Sequence, residues 1–437
     1  MPVPSPAAEA RRHFALAALA GCNLLAGFLW QAVIYARLGP GASTDALVAA
    51  AVAPQAFTGM VGVALTSVLI PLFAGEERSG QNADGRRCHL QIGLLGLAAA
   101  LALCLAAPWW TGLLFPGFDA ETARLCAGLA RVQALSVPFQ LATTILSALL
   151  YARDRYVLVE AAALAATAPG LALLYHFLPD RGVEVAAWLG VGRAAVVWAV
   201  LLPTLGRTDG RPPRVGLAAL LWRRGRPILA NTAYAKADVF VDRSLLSMSA
   251  GGHLSLYDLA QQMAGTGANL LGKVWGATAV AGLAARAKAG DAAGFLRLYR
   301  RRLALLLLLS GLAYLLLLVV GEPLLGLLDG RGRLTGADMH TLWTFLVLLG
   351  GVLVFGCAGV VTAGAFFALG DTRTPSLAAA AAFTLFMVGK IVLFPVFGVA
   401  GVCVAASACS LACALAQHLL FRRLLRKGLA FGTGGAA

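Results

Sequence analysis

Four ionisable side chains lie inside one apolar segment of the sequence, residues 230–250. The segment is long enough to cross a bilayer as a helix, and it contains Lys236, Asp238, Asp242 and Arg243. A charge at bilayer depth costs about 2.5–3.5 kcal/mol on insertion scales, so these groups need partners or water. At 100° per residue the two aspartates share one face and the two cations share nearly the opposite face. The segment is therefore predicted to line a polar cavity.

Two more lysines lie within apolar segments, Lys273 and Lys390. Lys273 lies between Gly272 and Gly276, too deep for its ammonium group to reach the interface easily. It could bind an anionic ligand or neutralise a buried carboxylate, and the residues leave both interpretations open. No Ser/His/Asp set, metal-ligand cluster or phosphate-binding glycine loop accompanies these charges, so we expect neither catalytic residues nor a metal site. Most of the eight cysteines lie inside apolar helices, where Cys is usually a small hydrophobe.

The composition is that of a membrane protein. The chain has 437 residues, of which 59% are hydrophobic and 13% are charged. Its net charge of +15 would suit nucleic acid, but the arginines concentrate in alternate loops, which is the positive-inside pattern. We therefore expect no nucleic-acid partner. The pattern predicts a multi-pass protein of the bacterial inner membrane with both termini in the cytoplasm.

The apolar runs predict about twelve membrane-spanning helices and an all-α fold. A polar segment rich in Gly, Pro and Arg divides the chain into an N-terminal six-helix lobe (1–205), a basic cytoplasmic linker (206–226) and a C-terminal six-helix lobe (227–437). The apolar part of the linker, residues 217–222, is predicted to form a short amphipathic helix on the membrane surface. Asp45 matches Asp258 and Gly59 matches Gly272 at one offset, which indicates two repeats related by a two-fold axis along the membrane normal.

Several segments resemble the MurJ family of lipid II flippases, within the superfamily of multidrug, oligosaccharidyl-lipid and polysaccharide exporters. These segments are ARLGPGASTDA (36–46), residues 241–284, FALGDTRTP (367–375) and GVAGV (398–402). The resemblance covers nearly the whole chain in the expected order. It implies two six-helix lobes in a V, with a central cavity between them. Members of the family usually carry two further helices that form a groove for the lipid tail, and we expect these to be missing.

The resemblance implies a flippase that moves a polyprenyl-linked glycan, either a lipid II-like precursor or a surface polysaccharide unit, by alternating access. Its expected partners are the lipid-linked oligosaccharide and membrane lipids, and it is expected to be a monomer. No cofactor is expected beyond a possible coupling ion, Na⁺ or H⁺. Two alternatives stay open: an antiporter of drugs or cations of the multidrug-extrusion type, and a transport-inert scaffold derived from a flippase.

The resemblance also assigns cavity residues. The family's arginines of the first two helices fall near Leu24, Trp30 and Thr58, and its arginine of the eighth helix falls on Gln262. Asp45 is the charged residue of the first lobe that is kept. The predicted substrate cavity therefore consists of Asp45, Thr58, Lys236, Gln262 and Lys273, with the two lysines as partners of a diphosphate.

The resemblance further places a cation site of the second lobe at Asp242, with Asp238 one turn away. Lys390 occupies the position that an Asn usually fills, so its ammonium could replace a sodium ion there. An internal ion pair without a coupling role is the alternative. Outside these sets, Arg193 is predicted to donate hydrogen bonds between helices, with a role as substrate ligand as the alternative, and Glu160 is predicted to pair with Arg153 or Arg155.

Overall fold

The computed structural model describes residues 6–206, 212, 214, 216–271, 277–326, 333–371 and 373–426. All secondary structure in these ranges is helical, which confirms the predicted all-α fold. The chain forms two compact units, Met1–Gly252 and His253–Ala437. The helix at 217–247 lies in the first unit, whereas the sequence assigns its first ten residues to the linker and the rest to the second lobe. The lobe boundaries derived from the sequence stay a prediction.

The first unit contains nine α-helices and one short 3-10 helix in its described part. The helices are α1 (Pro6–Leu38), α2 (Ala42–Ala74), α3 (Arg78–Leu105), α4 (Ala107–Leu114), α5 (Ala120–Ala134), α6 (Val137–Ala152), α7 (Tyr156–Arg181), α8 (Val183–Leu201) and α9 (Leu217–Ser247), with the 3-10 helix at Leu202–Leu205.

The second unit contains six α-helices in its described part: α10 (His253–Leu271), α11 (Ala277–Lys288), α12 (Ala292–Gly326), α13 (Gly336–Leu348), α14 (Gly350–Ala368) and α15 (Arg373–Arg426). The last of these is interrupted at Gly398, where φ is 57° and ψ is −140°. A glycine adopts this conformation without the steric cost that a side chain would add. The interruption divides α15 into two lengths, each of which could cross a bilayer.

Nine helical stretches among the described residues are long and apolar enough to cross a membrane. Many of their large apolar side chains are exposed; on α3 these include Leu90, Leu94, Leu97 and Leu101, which recur at helical spacing. An exposed apolar stripe of this length suits hydrocarbon rather than water. The protein is therefore an integral membrane protein. The predicted number of twelve spans stays a prediction.

The core of the first unit forms where α2, α3, α6 and α8 meet. Leu69 and Phe73 of α2 pack there with Cys88 and Ile145, and all four side chains are 0% exposed. Leu217, the first residue of α9, is 1% exposed and belongs to the same cluster. Residues 217–222 are therefore the first turns of a continuous helix, so the prediction that they form a short helix of their own is wrong, while their place on the membrane surface stays a prediction.

A polar network ties the residues before α9 to the start of α3. The backbone N–H of Arg214 donates to Oδ1 of Asp84 at 2.6 Å, and the Arg214 guanidinium pairs with Glu76. Nearby, Arg153 donates to Oε1 of Gln81 at 2.9 Å and to the carbonyl of Thr204 at 3.0 Å. Since Asp84 is 3% exposed, the N–H of Arg214 supplies a hydrogen bond to a carboxylate that burial would otherwise destabilise.

Candidate functional site: a polar cavity in the first unit

A polar cavity of about 730 Å³ lies within the first unit, among α1, α2, α6, α7, α8 and α9. Ten of its fifteen lining residues are polar or charged: Asn23, Gln55, Thr58, Gln140, Thr143, Thr144, Glu160, Thr167, Arg193 and Lys236. Five largely apolar helices and the more polar α9 thus turn polar residues toward one space. Polar residues at membrane depth are costly unless they have partners or water, so this space is the candidate functional site.

Lys236 contributes a cation to this cavity from α9. Its side chain lies against α2 at Gly59, where an added methyl group would lie 3.5 Å from Cε and 3.8 Å from Nζ. The missing side chain at Gly59 therefore provides the space in which the lysine chain extends beside α2. Thr58, on the same helix, also lines the cavity. Two of the predicted substrate residues thus share one wall, and their role in binding stays a prediction.

Arg193 contributes the second cation, from α8. Its guanidinium carbon lies 5.4 Å from the centroid of the Trp30 ring of α1, a cation–π geometry. The sequence predicts a hydrogen-bond donor between helices at this position, and the structure shows an aromatic contact between helices. Neither Arg193 nor Lys236 has a carboxylate within 4.0 Å among the described residues.

Glu160 contributes the one carboxylate of the cavity lining. Nδ2 of Asn23 donates to Oε2 of Glu160 at 2.7 Å and to its backbone carbonyl at 2.9 Å. The prediction that Glu160 pairs with Arg153 or Arg155 is therefore wrong for the described residues: Arg153 donates to Gln81, Asn82 and Thr204. A neutral amide, rather than a cation, satisfies this carboxylate.

The cavity threonines differ in what they offer a ligand. Thr58 donates to the carbonyl of Pro54 at 3.0 Å, and Thr144 donates to the carbonyl of Gln140 at 2.9 Å. Because their protons are used within their own helices, these hydroxyls present acceptor lone pairs. Thr143 Oγ1, by contrast, is buried with no hydrogen-bond partner. The wall thus combines donors, acceptors and two cations.

Asp45 is buried and binds a backbone group. Its Oδ2 accepts a hydrogen bond at 2.6 Å from the backbone N–H of Gly252, and its residue is 4% exposed. Gly252 has a φ of +92°, and a methyl group added there would approach the carbonyl carbon of Pro40 to 3.0 Å. Asp45 therefore anchors the residues after α9 to the start of α2. It is not among the lining residues of the cavity, and its predicted role in binding is untested.

The other predicted residues lie elsewhere. Gln262 is exposed on α10, Asp238 is half-buried on α9, and Lys273 lies outside the described residues. Asp242 and Lys390 are 0% and 3% exposed. The predicted ion pair or cation site between these two residues stays a prediction. The described residues contain no group of three or more His, Cys, Asp or Glu side chains that could hold a metal ion.

Asn23, Gln140 and Thr143 are not among the residues that the sequence predicts for the site, and Arg193 and Glu160 are predicted there mainly as contacts that hold the helices together. The available signal was the occurrence of charged and amide side chains within apolar runs. The sequence gives no distance between helices, however, so it could not show that α1, α6, α7 and α8 direct these groups into one cavity.

The described residues form a helical membrane protein with a polar cavity among the helices of its first unit, and solved structures with the same fold are known. A lipid II flippase MurJ in an inward closed conformation matches with a TM-score of 0.80 and 15% identity, covering 93% of this chain and 87% of that one. An inward-facing multidrug-resistance transporter of the MATE family, in the MOP superfamily, matches with a TM-score of 0.78 and 14% identity, covering 94% and 96%. No curated protein sequence matches this chain.

A third structure, a MOP superfamily transporter from Pyrococcus furiosus described as having a binding pocket of reverse polarity, matches with a TM-score of 0.60 and 14% identity, covering 95% of this chain and 94% of that one. The family model "Lipid II flippase MurJ" matches residues 34–435. This chain belongs to the MurJ family. The expected family and the MOP-type fold are thereby confirmed.

Proposed function

We propose that this protein moves a lipid-linked glycan precursor across the bacterial inner membrane, with the glycan diphosphate entering the polar cavity of the first unit. The observation that carries the proposal is the pair of cations in that cavity, Lys236 and Arg193, neither of which has a carboxylate within 4.0 Å among the described residues. A diphosphate would supply the missing anion, and charge-assisted hydrogen bonds are strong where water is scarce.

The neutral polar lining supports a glycan as the second part of the ligand. Thr58 and Thr144 present acceptor lone pairs, and the exposed amide of Gln55 offers both a donor and an acceptor. Sugar hydroxyls need both kinds of group at short range. Glu160 already accepts a hydrogen bond from Asn23, and the lining has this one carboxylate and two cations. The net positive charge of the lining favours binding of an anionic ligand.

A cation antiporter fits this cavity less well. A cationic drug would lose hydration on entering, and it would meet two positive side chains. An inert scaffold would have no need of cations without counter-ions, because such groups reduce stability at membrane depth. We therefore favour the flippase among the three functions that the sequence leaves open. We further propose that it works as a monomer by alternating access, with both termini in the cytoplasm.

The first test replaces the lysine of the cavity. We expect Lys236→Gln to reduce transport of a lipid-linked glycan in proteoliposomes by about tenfold or more, because one charge-assisted contact is lost. Lys236→Arg should retain most of the activity. Lys288→Gln is the matched control, since Lys288 is an exposed lysine at the end of α11. Unchanged transport by a folded Lys236→Gln protein would remove the proposed site.

The second test asks which glycan is carried. Expression of the chain in a bacterium depleted of its lipid II flippase should restore growth if a lipid II-like precursor is the substrate. A surface polysaccharide unit as the substrate predicts no rescue of growth, together with transport of that unit in proteoliposomes. Failure of both lipids to be transported would contradict the proposed function.

A further inference from the structure

A second, apolar groove of about 430 Å³ lies in the first unit, between α2, α3 and α9. Its walls include Leu65 of α2, Ile92 and Leu95 of α3, and Leu221 and Leu229 of α9. The polar cavity described above plays no part in it, since the two sets of lining residues share no member. Within a membrane, an apolar groove of this kind suits a hydrocarbon chain.

α9 leaves room for the groove at Gly225. This glycine is buried, and a methyl group added to it would lie 3.9 Å from Cβ of Ala64 on α2. Ala218, Gly225 and Leu229 recur at seven and four residues, so they occupy one face of α9. The groove therefore follows this face for about three helical turns, or roughly 16 Å.

Two of the helices that form the groove, α3 and α9, each carry an arginine one helical turn from a lining residue. On α3, Arg87 precedes the lining residue Gln91 by four positions, and on α9, Arg226 follows the lining residue Trp222 by four positions. Residues four apart lie on the same side of a helix. Both arginines are exposed, and neither has a carboxylate within 4.0 Å among the described residues.

Trp222 lines the same groove and is 64% exposed. Its indole has an apolar body and a polar N–H group, a combination enriched where lipid headgroups meet hydrocarbon. The groove thus suits one kind of ligand: its lining is apolar along its length and includes an aromatic ring, and two of its helices carry an arginine one turn from a lining residue.

We propose that this groove is a binding site for an anionic phospholipid, with an acyl chain between α2, α3 and α9 and the lipid phosphate at Arg87 and Arg226. Charge complementarity selects this occupant, because a zwitterionic lipid would bring a cation toward the two arginines as well as a phosphate. The site is separate from the proposed substrate cavity, so it does not depend on the proposed function.

The test measures binding of phosphatidylglycerol to the purified full chain in detergent, by its effect on the thermal unfolding midpoint, with phosphatidylcholine as the comparison lipid. We expect phosphatidylglycerol to raise the midpoint and phosphatidylcholine to have little effect. Arg226→Gln should weaken phosphatidylglycerol binding by about fivefold, the factor expected for one cationic contact at an anionic lipid surface.

Two matched controls lie on α9. Arg223 is an exposed arginine on the side opposite the groove, because it stands two residues, or 200°, before Gly225. Arg223→Gln should therefore leave phosphatidylglycerol binding unchanged. Ala218→Trp fills the groove and should abolish the stabilisation, whereas Ala219→Trp, at a neighbouring exposed alanine outside the lining, should not. Midpoints without lipid show whether each variant is folded.

Three results would overturn the proposal. Equal losses in Arg226→Gln and Arg223→Gln would indicate general attraction to a charged surface. Equal stabilisation by phosphatidylcholine would show that the arginines select no headgroup. Displacement of a photoactivatable phosphatidylglycerol from the groove by a polyprenyl diphosphate, at equal concentration, would assign the groove to the tail of the transported lipid instead.

Discussion

Glu160 shows how a single carboxylate can be retained within a membrane-spanning helix. Asn23 donates to it from α1, and the same amide nitrogen also bonds the Glu160 backbone carbonyl, so the two helices are joined at one point by two hydrogen bonds. Burying a carboxylate without partners would cost several kcal/mol, and a neutral donor offsets part of this cost without cancelling the charge. The pair therefore fixes α1 against α7 and keeps a negative group at the cavity wall.

A double-mutant cycle tests this contact. We expect Asn23→Ala and Glu160→Ala to be coupled by about 1–2 kcal/mol in the free energy of unfolding, as expected for a hydrogen bond to a charged group. The measurement is unfolding of the single and double variants in detergent. Gln55→Ala with Glu160→Ala is the control pair, because both residues line the cavity without a hydrogen bond between them. Additive effects in the first pair would contradict the proposed coupling.

At the scale of the elements, α3 packs closely on α6 at Gly96. A methyl group added there would lie 2.8 Å from Cα of Pro138, which is backbone and cannot move alone. We expect Gly96→Ala to lower the free energy of unfolding by about 1–3 kcal/mol, the usual cost of overpacking. Gly93→Ala, one turn away with no atom within 4 Å of the added methyl group, should be neutral or stabilising by up to about 1 kcal/mol. Thermal unfolding of both variants measures the difference, and equal midpoints would contradict close packing.

The start of α5 provides a pH-dependent element. Asp119 caps this helix, because its Oδ1 accepts from the backbone N–H of Thr122 at 3.1 Å. Hydrogen bonding from the side chain of Thr122, with that from its backbone, lowers the pKa of the Asp119 carboxyl. A lowered pKa in the folded state means that the stabilisation is fully present above the unfolded pKa of about 3.9 and is lost as the pH falls through the folded pKa.

Asp119→Ala should therefore lower the thermal midpoint at pH 7, where the cap is ionised, and the difference from the unsubstituted protein should shrink below about pH 4. Asp119→Asn keeps an acceptor at the cap, so its midpoint should lack this component of the acid dependence. Thermal unfolding at pH 7, 5 and 3 distinguishes the three proteins. An Asp119→Ala deficit of the same size at pH 3 and pH 7 would show that ionisation of Asp119 is not involved.

At the scale of the whole molecule, the sequence predicted the class of fold because long apolar runs leave few alternatives to membrane helices. It also predicted that Lys236 lines a polar space, since four charges on one span cannot all face lipid. It could not predict the bond between Asn23 and Glu160, which are 137 residues apart, because helix periodicity does not specify which helices become neighbours. The sequence could not predict the start of α9 for a related reason: residues 217–222 are amphipathic both as a separate short helix and as the first turns of a longer one, and the packing of Leu217 decides between the two.

The contacts of Arg214 restrict how α9 can move. The backbone of Arg214 is held to Asp84, and α9 begins three residues later at Leu217. Three residues of extended chain reach about 11 Å at most. While that hydrogen bond persists, the first turn of α9 stays within this distance of Asp84 on α3. The helix therefore cannot move along its own axis by more than about that length. A conformational change that displaces Lys236 while this bond persists therefore pivots α9 about its first turn or bends it at Pro227, and the displacement increases with distance from Arg214.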